Sequence, residues 1–224
     1  MSFLDFLKNN FFHVAPILMS GAIAAVIIFE RFQTLFKTYS LANTEGFLAQ
    51  IKAFVSHGKN NEALALCMQY SGKPTAEVVK AALERAHQPE ELVINTIEYT
   101  RNQYAEKIQK RTSYLATIAN VATLLGLLGT IAGLIESFAA VGHADPQQKA
   151  ALLANGISTA MNATMMGLGV AVPCMVVFSF LINKANHLIS EVEAGGMTVH
   201  DSLQVYSMGI DEPTEKRTAE RRAS

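Results

Sequence analysis

Three long stretches of this 224-residue chain carry no charge at all. Between Lys8 and Glu30 lie 21 residues without Asp, Glu, Lys or Arg, between Arg111 and Glu136 lie 24, and between Lys149 and Lys184 lie 34. A helix covers the hydrocarbon core of a bilayer with about 20 largely apolar residues, and it satisfies its own backbone where lipid offers no hydrogen-bond partner. One such run could be a buried core helix. Three of them, in a short chain that is 50% hydrophobic, predict an all-α membrane protein with three transmembrane helices. The third run exceeds a single crossing, so its first residues form a polar approach. Glu30 and Arg31 follow the first run where a signal peptide would show a small-residue cleavage site, so that run reads as a retained helix.

Basic residues set the expected orientation. Residues 30 to 113 hold 11 of the 18 Lys and Arg, and the tail from Lys184 holds five; the N-terminus has only Lys8 and the second short connection only Lys149. Lys and Arg near span ends favour the cytoplasmic side. The N-terminus and the 142–150 connection are therefore expected outside, with the large segment and the tail in the cytoplasm. The segments read as an amphipathic lead-in over 1–10, a first span over 11–36, and a cytoplasmic helical segment over 37–112. A second span over 113–141, the outer loop 142–150, a third span over 151–183 and a helix end with a disordered tail over 184–224 complete the chain. Within 37–112, "NTEGFLAQIKAFV" shows a helical apolar stripe, "EALALCMQY" a second short helix, and Pro74 opens a third running to about Arg85. From Pro89 no Gly or Pro interrupts the pattern before the second span, which predicts one long helix. The third helix is expected to end near Ile189 or Glu193, with "EAGGMTVHDS" breaking it.

Several function classes are excluded. The net charge of −1, with nine acidic against eleven basic residues between 30 and 113, leaves no phosphate-tracking stripe and no case for nucleic-acid binding. Cys67 and Cys174 are expected apart and reduced, and the six histidines form no ligand pattern, so no metal site and no cofactor is expected. "SGK" at 71–73 lacks the spacing and preceding strand of a phosphate loop, and no catalytic residue stands out.

The polar residues inside the spans are the remaining signal. In the second, Asn120, Thr123, Leu127 and Thr130 share one helix face, while Gly126, Gly129 and Gly133 permit close helix packing. In the third, Asn155, Thr159 and Asn162 recur on one face with Ser158 beside them; Thr164 lies on a neighbouring face, and Pro173, which removes a backbone donor, is counted with the glycines among the helix-packing residues. Hydroxyls and amides of this kind glue helices together, or they line a path for water or an ion, or seat a partner's charged group. Glu136 is the ionisable residue of the second stretch and sits near its outward end, where it is a candidate for ion entry. The third run has no acid or base, so a proton relay at mid-membrane must borrow its carboxylate from another polypeptide.

"ATLLGLLGTIAGLIESF" and "GISTAMNATMMGLGVAVP" resemble the signature stretches of the ExbB/TolQ/MotA family, its ExbB/TolQ branch above all. The resemblance implies an ion-conducting subunit of a bacterial inner-membrane motor, with its N-terminus periplasmic and its C-terminus cytoplasmic. It also implies a ring, expected to be a homo-pentamer, around a dimer of an ExbD/TolR-like single-helix protein that supplies a membrane aspartate. A TonB/TolA-like protein is implied as a further partner. Carried over residue by residue, "LLGLLGT" places one pore threonine at Thr130 and "ATMMG" the other at Thr164. The branch's "GIAEAL" reads "GISTAM" here, so Thr159 stands where the family carries a glutamate, followed by Asn162. Neutral oxygens can serve a bare cation but do not hold a proton reversibly near neutral pH, so the transported ion is H+ or Na+. The implied duty is TonB-dependent transport or outer-membrane maintenance; a motor for surface gliding or motility, and a non-conducting membrane scaffold, are the alternatives.

Overall fold

A computed structural model describes residues 11–142 and 144–208. The lead-in 1–10, His143 and the tail residues 209–224 lie outside the described residues. The described residues form seven α-helices: α1 Phe11–Gln33, α2 Thr44–Ser56, α3 Asn60–Gln69, α4 Pro74–Glu84, α5 Glu90–Gln109, α6 Thr112–Gly142 and α7 Lys149–Ser207. A π-helical turn, Thr34–Thr38, extends α1. Helices long and apolar enough to cross a membrane cover Val14–Thr38, Glu90–Gly142 and Lys149–Ser207.

The chain forms two compact units. The first takes the described residues up to Phe32 together with Arg111–Ile182, and the second takes Gln33–Lys110 with the described residues from Asn183. In the first, α1 buries Val14, Ile17, Ser20 and Ala24 at helical spacing and leaves Leu18, Met19, Ile23, Val26 and Phe29 exposed. Such outward apolar residues suit lipid or a neighbouring helix. Val14 packs with Ala163 and Met166, and Gly21 lies against Val170. The Glu30 carboxylate accepts from Arg111 at 2.6 Å and from Arg31 at 3.3 Å, tying the end of α1 to the start of α6.

The second unit has a core of its own, in which Phe47, Ile51 and Val55 of α2 meet Ala63 and Cys67 of α3. Val79, Ala82 and Leu83 of α4, Val93 of α5 and Val199 of α7 complete it. Asn43 caps α2 by accepting from the Gly46 amide at 2.9 Å, and Pro74 opens α4 where a helix has no use for an N–H.

Two sequence expectations are corrected here. The predicted single helix from Pro89 into the second span breaks at Lys110–Arg111, where Lys110 has ψ 134° and Arg111 adopts a left-handed φ of 64°. A non-glycine residue in that conformation costs about 1–2 kcal/mol and has no local sequence signature; the Arg111–Glu30 ion pair offsets part of the cost. The predicted end of the third helix does not occur either, because α7 runs unbroken to Ser207. Gly195 lies against Thr75 and Val79, and Gly196 against Ile97 and Val78. The glycines serve close packing, and the burial offsets the roughly 1 kcal/mol that a helix-interior glycine costs relative to alanine.

Candidate functional site

Helices α6 and α7 run antiparallel, and small residues bring their backbones together. A Cβ placed on Gly167 would lie 2.7 Å from the Ala122 carbonyl and 2.8 Å from the Gly126 Cα, and one on Gly126 would lie 3.1 Å from the Gly167 Cα. Gly129 faces Ala163, Gly133 faces Ala160, and Gly156 faces Ser137, so the pairs descend α6 as they climb α7. This is a small-residue interface of the kind that lets spans associate without a hydrophobic driving force. The α7 half of it, Gly156, Ala160, Ala163 and Gly167, was not among the residues singled out from sequence. Its spacing of four, three and four was the available signal.

At the edge of that contact, the hydroxyls of Thr130 and Thr164 are hydrogen-bonded to each other. Thr130 Oγ1 also reaches the Gly126 carbonyl at 3.1 Å and the Ala160 carbonyl at 3.2 Å, and Thr164 Oγ1 lies 3.4 Å from the same Gly126 oxygen. Four oxygens from two helices thus surround two hydroxyl protons. Each hydroxyl donates once and accepts on its remaining lone pairs, so the protons can be arranged in more than one way. Such a cluster is neutral and polar, and it reorients without titrating.

The other singled-out residues are placed elsewhere. Thr123 is exposed and bonds back to the Ala119 carbonyl at 3.0 Å. Asn155 and Ser158 are exposed and Thr159 and Asn162 half-buried. At about 100° per residue these four lie roughly opposite Thr164 around α7, so the polar residues of the third span form two faces. Glu136 is exposed, six residues past Thr130 and about 9 Å further along the axis. Pro173, expected among the packing residues, is exposed between buried Ala171 and Cys174, and α7 continues through it. Ser137, which sequence reasoning left without a role, is buried against Gly156 and donates to the Gly133 carbonyl at 2.6 Å. Among the described residues, no three His, Cys, Asp or Glu side chains converge in a way that could hold a metal ion.

The profile of the MotA/TolQ/ExbB proton channel family matches residues 71–194, more than half of the chain and all of the α6–α7 contact. The chain belongs to this family. It is 29% identical over 202 residues to a Methanothermobacter thermautotrophicus protein described as an ExbB homolog, covering 85% of this chain and 71% of that one. It is 34% identical over 112 residues to an ExbB-like protein of Helicobacter pylori, covering 49% of this chain and 74% of that one. The fold matches that of a chain in the solved structure of C. jejuni MotAB with a TM-score of 0.56 at 20% identity, over 86% of this chain and 75% of that one. Membership makes the protein a multi-pass membrane protein of an ion-channel and motor class, closest to the ExbB/TolQ branch, and not an enzyme.

Proposed function

We propose that this chain is the ring-forming, ion-conducting subunit of an inner-membrane motor that couples an ion gradient to work in the cell envelope. The observation that carries the reading is the Thr130–Thr164 hydroxyl pair with its shared Gly126 carbonyl, within the region that matches the family. In this reading five copies surround a dimer of an ExbD/TolR-like single-helix protein, whose membrane aspartate supplies the titrating carboxylate. Ion binding neutralises that aspartate and lets it pass the apolar parts of the ring. Release restores its charge and its attraction to the next hydroxyl cluster. One charge moved across 100 mV yields about 2.3 kcal/mol, enough to bias each step but not to cross an unassisted apolar barrier. Thr159 and Asn162, on their separate face of α7, line the path farther from the hydroxyl pair, with Asn155, Ser158 and Thr123; Glu136 marks the outer mouth. Protons lead as the coupling ion, relayed through hydroxyls and water, with Na+ the alternative that the neutral oxygens also suit. The duty is TonB-dependent transport or outer-membrane maintenance, with a TonB/TolA-like protein receiving the motion.

The test is reconstitution with the single-helix partner and measurement of ion flux while pH and Na+ gradients are imposed separately. Thr130→Val and Thr164→Val, near-isosteric and without hydroxyls, are expected to reduce flux at least tenfold while the partner still co-purifies. Thr159→Val tests the second polar face in the same assay. Undiminished flux in both Thr130→Val and Thr164→Val would overturn the hydroxyl-path reading and favour a packing scaffold. Flux that follows the pH gradient without Na+ assigns protons; flux that requires Na+ assigns sodium.

A further inference from the structure

Within the second unit, α5 and α7 run antiparallel and leave a groove of about 460 Å³ between them. Its walls are two helical stripes, Ile94, Ile97 and Arg101 from α5 and Glu193, Gly196 and Met197 from α7. Gly196 forms a bare floor against Ile97, where a Cβ would have no room. Polar ties stand at the two ends of this apolar middle. Arg101 Nη2 donates to Glu193 Oε2 at 3.2 Å at one end, and His200 Nε2 lies 3.0 Å from Glu90 Oε1 at the other. Met197 is 58% exposed, so the groove opens to the surface. The opposite side of α5 carries a ridge. Leu92 and Tyr99, 44% and 71% exposed, stand about two turns apart on it. At about 100° per residue they lie within about 20° of each other, and each is about 200° around the helix from Ile94 or Arg101 respectively.

Groove and ridge both call for cover, and one kind of partner covers both. A helix of a foreign protein would fill the groove but leave Leu92 and Tyr99 uncovered. A second copy of this chain brings a ridge of matching character, two apolar side chains spaced along a helix, to a groove floored by Ile94, Ile97 and Met197. Tyr99 suits the position. Its ring is apolar, and its hydroxyl, once buried, needs an acceptor, which Glu98 or Glu193 beside the groove supplies. We propose that Leu92 and Tyr99 of one copy insert into the α5–α7 groove of the next, head to tail. Two different surfaces on opposite sides of one helix make a heterologous contact, which repeats from copy to copy and closes a ring where the rotation allows. The contact rests on the ring proposed above and is independent of ion conduction.

The experiment uses the full chain with Cys67→Ala and Cys174→Ala, to which Tyr99→Cys and Met197→Cys are added singly or together. A disulfide needs Cα atoms within about 7 Å, and in one copy the two positions lie on opposite sides of α5. Mild oxidation of the doubly substituted chain should therefore join separate copies and give a ladder of covalent oligomers on a non-reducing gel. Each singly substituted chain should stay monomeric on the same gel. Circular dichroism confirms that every variant is folded, and native mass spectrometry of the unoxidised chain gives its oligomeric state. A covalent dimer from Tyr99→Cys alone would mark a two-fold contact and overturn the head-to-tail one. A native oligomer without a ladder overturns the ridge-and-groove contact but leaves the ring standing, whereas a native monomer overturns both. In membranes, joining of Met197→Cys to a foreign polypeptide, with no ladder from the doubly substituted chain, gives the groove to another partner and also overturns the proposal. Thr130→Val should leave the ladder unchanged, so the outcomes for the ion path and for the contact are read separately.

Discussion

Thr130 and Thr164 carry one hydroxyl proton each, among more acceptors than two protons can serve. Threonine can reorient such a proton without paying for ionisation, as the proposed role beside another chain's carboxylate requires. The sequence made both residues conspicuous as hydroxyls in an apolar run, but only packing shows that they touch. Cys67 is the contrasting case. Burial in the second unit's core pushes its thiol up to about 12, from an ordinary value of 9.0. Between those values the unfolded chain releases its proton first and so binds fewer protons, which means that stability falls as pH rises from about 9 towards 12. Iodoacetamide at pH 8 should therefore modify Cys67 only after denaturant is added. The loss of thermal stability from pH 8 to pH 10.5 should be smaller in Cys67→Ala than in the wild-type chain. Rapid labelling of the folded protein would contradict this placement.

Elements depend on glycine in ways that a sequence pattern only half reveals. Gly126, Gly129 and Gly133 announce a packing face on α6, and the structure supplies its counterpart in Gly156, Ala160, Ala163 and Gly167. Gly167→Ala would press a methyl group onto two backbone atoms that cannot yield, so it should destabilise the α6–α7 pair by about 1–3 kcal/mol. Gly169, with nothing within 4 Å of an added Cβ, is the internal control, and Gly169→Ala should be neutral or slightly stabilising. Thermal unfolding in detergent distinguishes them; equal melting temperatures would refute the close-contact account. The same residue type misled at Gly195–Gly196. Two adjacent glycines read locally as a helix stop, but α7 continues because α4 and α5 pack onto those bare positions. At Lys110–Arg111 the error ran the other way, since neither residue signals the left-handed turn adopted there.

At the scale of the molecule, the predicted arrangement places 142–150 outside the cell and residues 37–112 inside. A chain with Cys67→Ala and Cys174→Ala, given a new cysteine by Asp145→Cys or Tyr99→Cys, tests this with a membrane-impermeant maleimide. Asp145→Cys should label in spheroplasts and Tyr99→Cys only after the membrane is opened; the reverse pattern would invert the topology. Three helices able to span a membrane, the helical nature of 44–109 and the family were legible from residue order alone. Those properties follow from the cost of placing charge or unpaired backbone in lipid and from local helical periodicity, both carried by neighbours in the chain. The meeting of Thr130 with Thr164, the break at Arg111 and the survival of α7 through Gly195–Gly196 were decided by the tertiary structure. Each depends on which surfaces of distant segments come together, and close packing between residues far apart in the chain leaves no local mark on either one.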